Sequence, residues 1–283
     1  MNSGLSAIRA NGLRFAYLEQ GSGPLVLLLH GFPDTPQTWD QVRPALAQAG
    51  FRAVSPFMRG YVPTEIPAQP AYDSDTLGRD ALALIEALGE RSAFVVGHDW
   101  GASAAYSAVG LQPERIRMIV TVAIPHPASI VPTPHVLWAV RHFFKLRRTG
   151  MAARLRAENL AYIDELVQRW SPAWKVPPGE TEAVKRALRE PGCLEAAVGY
   201  YRALGLTLPT GQRKRVSVPA AAFAGQSDLL APSAYERARA RYANRYEVVV
   251  MPGGHFMHRE HPEHFTRELV RVLQAERDGV GNK

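Results

Sequence analysis

Short, wholly apolar runs alternate with amphipathic stretches through the first half of the chain. Leu25 to Leu29 is the first such run, and side chains that are all apolar suit a central parallel strand, which is covered on both faces. Ahead of it, Ala7 to Arg9 and Leu13 to Leu18 flank Asn11-Gly12, a two-residue hairpin signal. Thr38 to Ala49 has helical spacing and stops at Gly50, and Phe51 to Ser55 reads as the next strand. Leu77 to Leu88 predicts a helix closed by Gly89. Ala93 to Val96 predicts a buried strand, Ala102 to Leu111 a helix, and Ile116 to Ala123 another strand. This alternation predicts an α/β fold around a mostly parallel sheet.

The rhythm changes near residue 128. Val136 to Leu146, Ala152 to Trp170, Glu182 to Arg189 and Leu194 to Leu204 have helical periodicity, and no convincing strand lies among them. Strand character returns at Ala220 to Ala224 and Glu247 to Met251, before an amphipathic helix over Glu263 to Arg277. The Gly-rich end, Asp278 to Lys283, is expected to fray. The pattern divides into a core of residues 1–127 and 213–283 and a helical insertion of residues 128–212. The insertion should lie as a lid over the carboxyl edge of the sheet, where open α/β sheets bind ligands.

With 283 residues, 46% of them apolar, the chain can bury one large core. No apolar run exceeds five residues, so no membrane span is expected, and no leader-like pattern opens the chain. The single cysteine, Cys193, excludes an internal disulfide and gives no sign of an oxidising compartment. A cytoplasmic protein is the expectation. A formal charge of +7 raises polyanion binding. The basic residues are mostly dispersed arginines, and the clusters at 141–156 and Arg213 to Arg215 sit in no recognised nucleic-acid module. Neither nucleic acid nor a membrane is expected as partner, and the chain is read as a monomer or homodimer.

The candidate chemistry centres on Gly97-His98-Asp99-Trp100-Gly101, between a predicted strand and a predicted helix. This is the spacing of a nucleophile elbow with a carboxylate at its centre. Asp99 is expected to be presented at the sheet edge rather than buried. Asp228 follows the strand at 220–224, and His255, in Pro252-Gly-Gly-His255, follows the last strand. Nucleophile, acid and histidine thus come in the order this topology uses. His255, His258, His261 and His264 recur every third residue like a metal-binding run, but Pro262 interrupts them and no Cys or acidic ligand completes a set, so no metal is expected. His30-Gly31-Phe32-Pro33 follows a central strand, which assigns an oxyanion hole to the backbone amides of Phe32 and Trp100. His30 and His98 read as satisfied loop residues.

A carboxylate in place of serine decides the reaction type. It is ionised near pH 7 without help from a base and can displace a leaving group at saturated carbon, leaving an alkyl ester. Histidine is then free to activate water against that ester. Epoxides or alkyl halides are the expected substrates, with water as co-substrate and no cofactor.

The segments His30-Gly-Phe-Pro33, Arg59-Gly-Tyr61, Gly97 to Gly101, Gly225-Gln-Ser-Asp228 and Gly254-His-Phe256 resemble the α/β-hydrolase superfamily and, within it, epoxide hydrolases and related dehalogenases. The resemblance implies a lid tyrosine that protonates the opening epoxide oxygen, and Gly199-Tyr-Tyr-Arg202 points to Tyr201. A second lid tyrosine is expected around 137–144 but absent there, which leaves three alternatives. Tyr201 acts alone, Arg141 or His142 substitutes as a donor, or the substrate is not an epoxide. Haloalkane or haloacid dehalogenation with the same Asp-His-Asp set is the second reading, and a hydrolase-fold receptor is a third. His30, Pro33, Trp138, Arg141, His142 and Tyr200 are the expected pocket residues.

Overall fold

The structure is a computed structural model that describes residues 4–280. Its elements in chain order begin with β1 (Leu5–Ala10), β2 (Leu13–Gln20), β3 (Leu25–Leu29), α1 (Val42–Gln48), β4 (Arg52–Pro56), α2 (Ser74–Ala87), β5 (Ala93–His98), α3 (Trp100–Leu111) and β6 (Ile116–Val122). Seven helices follow without a strand: α4 (Pro134–Ala139), α5 (Arg141–Leu146), α6 (Met151–Ala157), α7 (Ala161–Trp170), α8 (Glu182–Arg189), α9 (Cys193–Arg202) and α10 (Thr210–Arg213). The chain closes with β7 (Ala220–Gly225), α11 (Pro232–Arg237), β8 (Tyr246–Met251), α12 (Met257–Glu260) and α13 (Pro262–Val280).

One eight-stranded sheet runs β1-β2-β4-β3-β5-β6-β7-β8, antiparallel between β1, β2 and β4 and parallel from there on. The fold class is therefore α/β, as the alternation predicts. Asn11 and Gly12 both take positive φ in the β1–β2 turn, as a two-residue hairpin of this kind requires. Two apolar layers cover the sheet. Leu27 and Val95 face one layer with Leu84 and Tyr106. Leu28 and Val96 face the other with Leu46 and Leu269. This alternation of faces is why β3 and β5 must be apolar throughout.

Several boundaries differ from the sequence reading. The expected helix over 152–170 is two helices, because Asn159 and Leu160 take left-handed conformations, with φ of 50° and 60°. The Leu160 amide bonds the Leu155 carbonyl and the Asn159 amide bonds the Arg156 carbonyl. That paired pattern ends a helix, and asparagine tolerates it better than most residues. The expected helix over 136–146 is broken at Val140. The final helix begins one residue earlier than Glu263 and continues past Arg277 to Val280, so the fraying expected from Asp278 does not hold for 278–280. The remaining residues of that expectation, 281–283, lie outside the described residues.

A buried ion pair within the core and one hydrogen bond to it anchor the helical segment. Arg59 donates from two nitrogens to the Asp80 carboxylate at 2.7 Å, and the Arg59 carbonyl accepts from the Tyr200 hydroxyl at 2.8 Å. The Arg59-Gly-Tyr61 motif thereby holds α9 in place over the strand ends.

Candidate functional site

The sharp turn between β5 and α3 sets the position of Asp99. Asp99 has φ 51° and ψ −116°, a conformation that non-glycine residues rarely adopt and that tends to be kept at functional sites. The turn closes only because its flanks lack side chains. A Cβ on Gly97 would lie 2.2 Å from the Gly101 carbonyl oxygen, and one on Gly101 would lie 2.2 Å from that of Leu29. Helix α3 starts at Trp100, two residues before the expected start, so the elbow leads straight into the helix.

Asp99 itself is only 8% exposed. The expectation of a presented carboxylate is corrected in this respect. The helices between β6 and β7 pack over the strand ends, and Asp99 meets open space only where it borders an internal cavity of about 400 Å³. Gly31 approaches it so closely that a Cβ there would lie 2.5 Å from the Asp99 Cβ. That approach lets the Phe32 amide donate to Asp99 Oδ1 at 2.9 Å. The Trp100 amide is among the first-turn N–H groups that a helix leaves without an internal acceptor.

His255 Nδ1 lies 3.1 Å from Asp228 Oδ1, and His255 Nε2 lies 3.5 Å from Asp99 Oδ2. The first is a hydrogen bond. The second is a charge contact that falls short of hydrogen-bond geometry, since His255 Nε2 has no hydrogen-bond partner. The histidine loop is clamped from above. The His255 amide donates to the Trp170 carbonyl at 2.9 Å, the Phe256 amide to Ser171 Oγ at 3.2 Å, and the Gly254 amide to Glu260 at 2.8 Å. Trp170, Ser171 and Glu260 carried no signal in the sequence, because their role depends on α7 ending against a loop far along the chain.

Burial alone would strip His255 of its proton. Asp228 and then Asp99 outweigh it and push the imidazole up from 6.5 to about 10. For Asp99 burial favours the protonated form, but His255, His98 and the Phe32 amide outweigh it and hold the carboxyl below its ordinary value. Asp99 is thus ionised and His255 protonated near neutrality. A folded-state value above the unfolded one gives stability that is fully present below about pH 6.5 and is lost as pH rises through about 10. Melting temperature should therefore fall as pH is raised from 7 to 10. His255→Gln should flatten the slope in that window, and an equal slope in both proteins would contradict the charge assignment.

The other expected site residues are distributed as follows. Tyr201 is fully buried with its hydroxyl lacking a hydrogen-bond partner. Its ring meets Phe32 edge-on at 5.4 Å and Trp100 at 5.2 Å, the two residues that flank Asp99. Burial and the nearby Asp99 charge raise its pKa well above 10. Tyr200 lines the cavity although its hydroxyl is tied to Arg59. His30 is buried beneath the loop, with Nδ1 donating to the Gly31 carbonyl and Nε2 accepting from the Met58 amide. Burial lowers its pKa to about 4. Pro33 is buried beside it in the same loop, away from the cavity wall. His142 packs between Tyr201 and Trp170, with burial lowering its pKa to about 3, while its Nδ1 faces the Ala139 carbonyl at 3.3 Å. Trp138 is 60% exposed, and Arg141 stacks on it at 3.8 Å, so neither faces the cavity.

The cavity wall includes residues the sequence reading did not single out. Phe143, Val136, Leu204 and Leu208 make it apolar. Ser74, Ser103 and Gln212 form a polar strip, with Gln212 donating to Ser103 Oγ at 2.8 Å and the two serine hydroxyls 2.9 Å apart. Periodicity could not distinguish these from core positions. One group among the described residues has metal-ligand character: Asp34, His98 and His258, whose ligand atoms lie within 4.8 Å of one another. Arg259 is already paired with Asp34 at 3.2 Å, which opposes a second cation there. His98 donates to the His255 carbonyl at 3.0 Å, and His258 meets Thr38.

A carboxylate after β5, a second carboxylate after β7 and an imidazole after β8 thus meet at the carboxyl edge of the sheet, and the first of them borders an apolar cavity. The chain matches the alpha/beta hydrolase fold over residues 24–262. It is similar to an epoxide hydrolase of Caballeronia sordidicola, 42% identical over 119 residues, a segment covering 42% of this chain and 36% of that protein. The chain thus aligns with about a third of that relative's length. It is 28% identical over 281 residues to epoxide hydrolase 3 of Mus musculus, covering 94% of this chain and 76% of that protein. The crystal structure of an epoxide hydrolase from Vigna radiata superposes with a TM-score of 0.80 at 25% identity, over 96% of this chain and 98% of that one. The chain belongs to the α/β-hydrolase fold family and is a hydrolase of the epoxide hydrolase-like kind.

Proposed function

We propose that the protein hydrolyses small apolar epoxides to vicinal diols through an alkyl ester on Asp99. The observation that carries this reading is an ionised carboxylate at the inner end of an apolar cavity, in contact with a histidine that a second carboxylate orients. One Asp99 oxygen attacks an epoxide carbon, the carbon–oxygen bond of the ring breaks, and the departing oxygen takes the Tyr201 hydroxyl proton. A tyrosine whose ionisation is suppressed remains neutral until an alkoxide, a stronger base than phenolate, appears beside it. The helical segment of residues 128–212 serves as the cap that excludes bulk water.

Ester formation erases the charge on Asp99. His255 then keeps only Asp228 as counter-charge, so its affinity for a proton falls; it gives that proton up as the basic Tyr201 phenolate regains one, and it can serve as a base. Neutral His255 takes a proton from water, the hydroxide attacks the ester carbonyl, and the amides of Phe32 and Trp100 receive the negative charge that develops on its oxygen. Breaking the ester expels the second oxygen as an alkoxide, which takes the proton of the newly formed Asp99 carboxylic acid, so that the diol leaves and the carboxylate is restored. The His142 tautomer that donates from Nδ1 to Ala139 leaves Nε2 as an acceptor, which favours Tyr201 as the acid acting alone.

The experiment that tests this is a single turnover in heavy-oxygen water with enzyme in excess. The first diol should carry ordinary oxygen from Asp99, and the Asp99-containing peptide should gain the heavy isotope. Heavy oxygen in the first diol, with none in the peptide, would mean direct attack by water and sink the ester. Haloalkane or haloacid turnover would proceed through the same ester, and release of halide rather than diol from a mixed panel would select it.

A further inference from the structure

The cavity opens to solvent beside exposed apolar side chains that the chemistry at its inner end does not use. At its outer end it is lined by Ile130, Leu137 and Leu206, with exposures of 37%, 47% and 108%. Val131, Trp138 and Phe144 stand exposed in the same segments, so most of the large exposed apolar residues described lie in the stretches of chain that border this opening. Soluble surfaces do not ordinarily gather them in one place. The charge of those stretches of chain is as one-sided as their apolarity. No Asp or Glu occurs between Glu114 and Glu158, or between Glu195 and Asp228. Within those stretches Arg147, Arg148 and Arg202 are exposed, Lys145 is half-buried, and the Arg141 guanidinium stacks on the Trp138 ring.

We infer that the rim of the cavity docks on an anionic lipid surface, from which apolar epoxides enter directly. The inference rests on the cavity being the substrate site, and it names where that substrate is drawn from. An amphipathic rim with tryptophan and arginine at its edge suits the headgroup layer, where an indole and a guanidinium can both stay partly wet. No helix among the described residues is long and apolar enough to cross a membrane, so attachment would be peripheral. Lipid is favoured over a second copy of this chain because the exposed charges of these stretches are all basic, the wall's Asp73 being half-buried and bonded to Thr76, and two such faces would repel. An anionic bilayer supplies the missing charge.

Co-sedimentation with phosphatidylcholine vesicles, with and without phosphatidylserine, tests it on the intact protein. Partition should be strong only with phosphatidylserine and should weaken as salt shortens the range of charge attraction. Replacing Arg147 and Arg148 by Gln should lower partition by roughly fivefold per residue. The double change Trp138→Ser and Phe144→Ser should lower it by about tenfold or more while leaving turnover of a water-soluble epoxide unchanged, since neither residue lines the cavity. Equal binding to both vesicle types, or partition unmoved by the double change, would overturn the proposal. So would a dimer, seen by sedimentation velocity, that the double change dissolves. Vesicle binding is read without turnover, so it stands or falls separately from the ester on Asp99.

Discussion

Asp99→Asn is expected to lower epoxide turnover by roughly 10⁴-fold or more, the scale on which removal of a nucleophile acts elsewhere. The amide is uncharged and its oxygen is a feeble nucleophile, so attack on carbon stops while the cavity stays nearly the same in shape. The backbone at 99 sits at φ 51°, and asparagine is among the few residues that tolerate positive φ. Stability should accordingly change far less than rate, which denaturant unfolding will check. The substitution has a second readout. It removes one of the two carboxylates that hold His255 up to about 10, so the imidazole pKa, followed by nuclear magnetic resonance, should move down. Activity within tenfold of the parent, in protein shown by mass to retain asparagine, would remove Asp99 from the chemistry.

The extent to which the fold could be read from sequence follows from where its signals are local. β3, β5 and the Asn11-Gly12 hairpin are written in consecutive residues, because apolar runs and a two-residue turn are short-range facts. The positions of Asp99, Asp228 and His255 were legible for the same reason, each standing just after an apolar strand. What failed needed tertiary context. Trp138 was expected in the pocket as a lid aromatic and Arg141 as a substitute proton donor, but a helix has two sides, and which of them met the cavity was decided by tertiary packing. Phe143 sits two residues from Arg141 and lines the wall. The burial of Asp99 escaped notice because the side chains covering it, such as Tyr201, come from an insertion whose docking no local pattern encodes. The break at Asn159-Leu160 was hidden because the apolar spacing continues across it.

His255→Gln should separate the two halves of the reaction. Glutamine cannot take a proton from water, so ester hydrolysis should slow by about 10³-fold or more, whereas attack by Asp99 needs no base. Mixing the variant with an aryl epoxide should then consume about one equivalent in a rapid phase and nearly stop, with the intact protein heavier by the mass of the substrate. A pH effect accompanies this. His255 is the foremost group holding Asp99 below its ordinary pKa, against burial that pushes the other way. Without it the Asp99 pKa should rise, so the rapid phase should be lost on acidification at a higher pH than in the parent protein, and hydroxide at high pH should slowly rescue release. Loss of epoxide consumption with no adduct at any pH would mean that His255 is needed before the carbon is captured, as in direct activation of water against the ring. The two carboxylates would then serve to hold an imidazole, and the strained turn at Asp99 would have to be explained by that task alone.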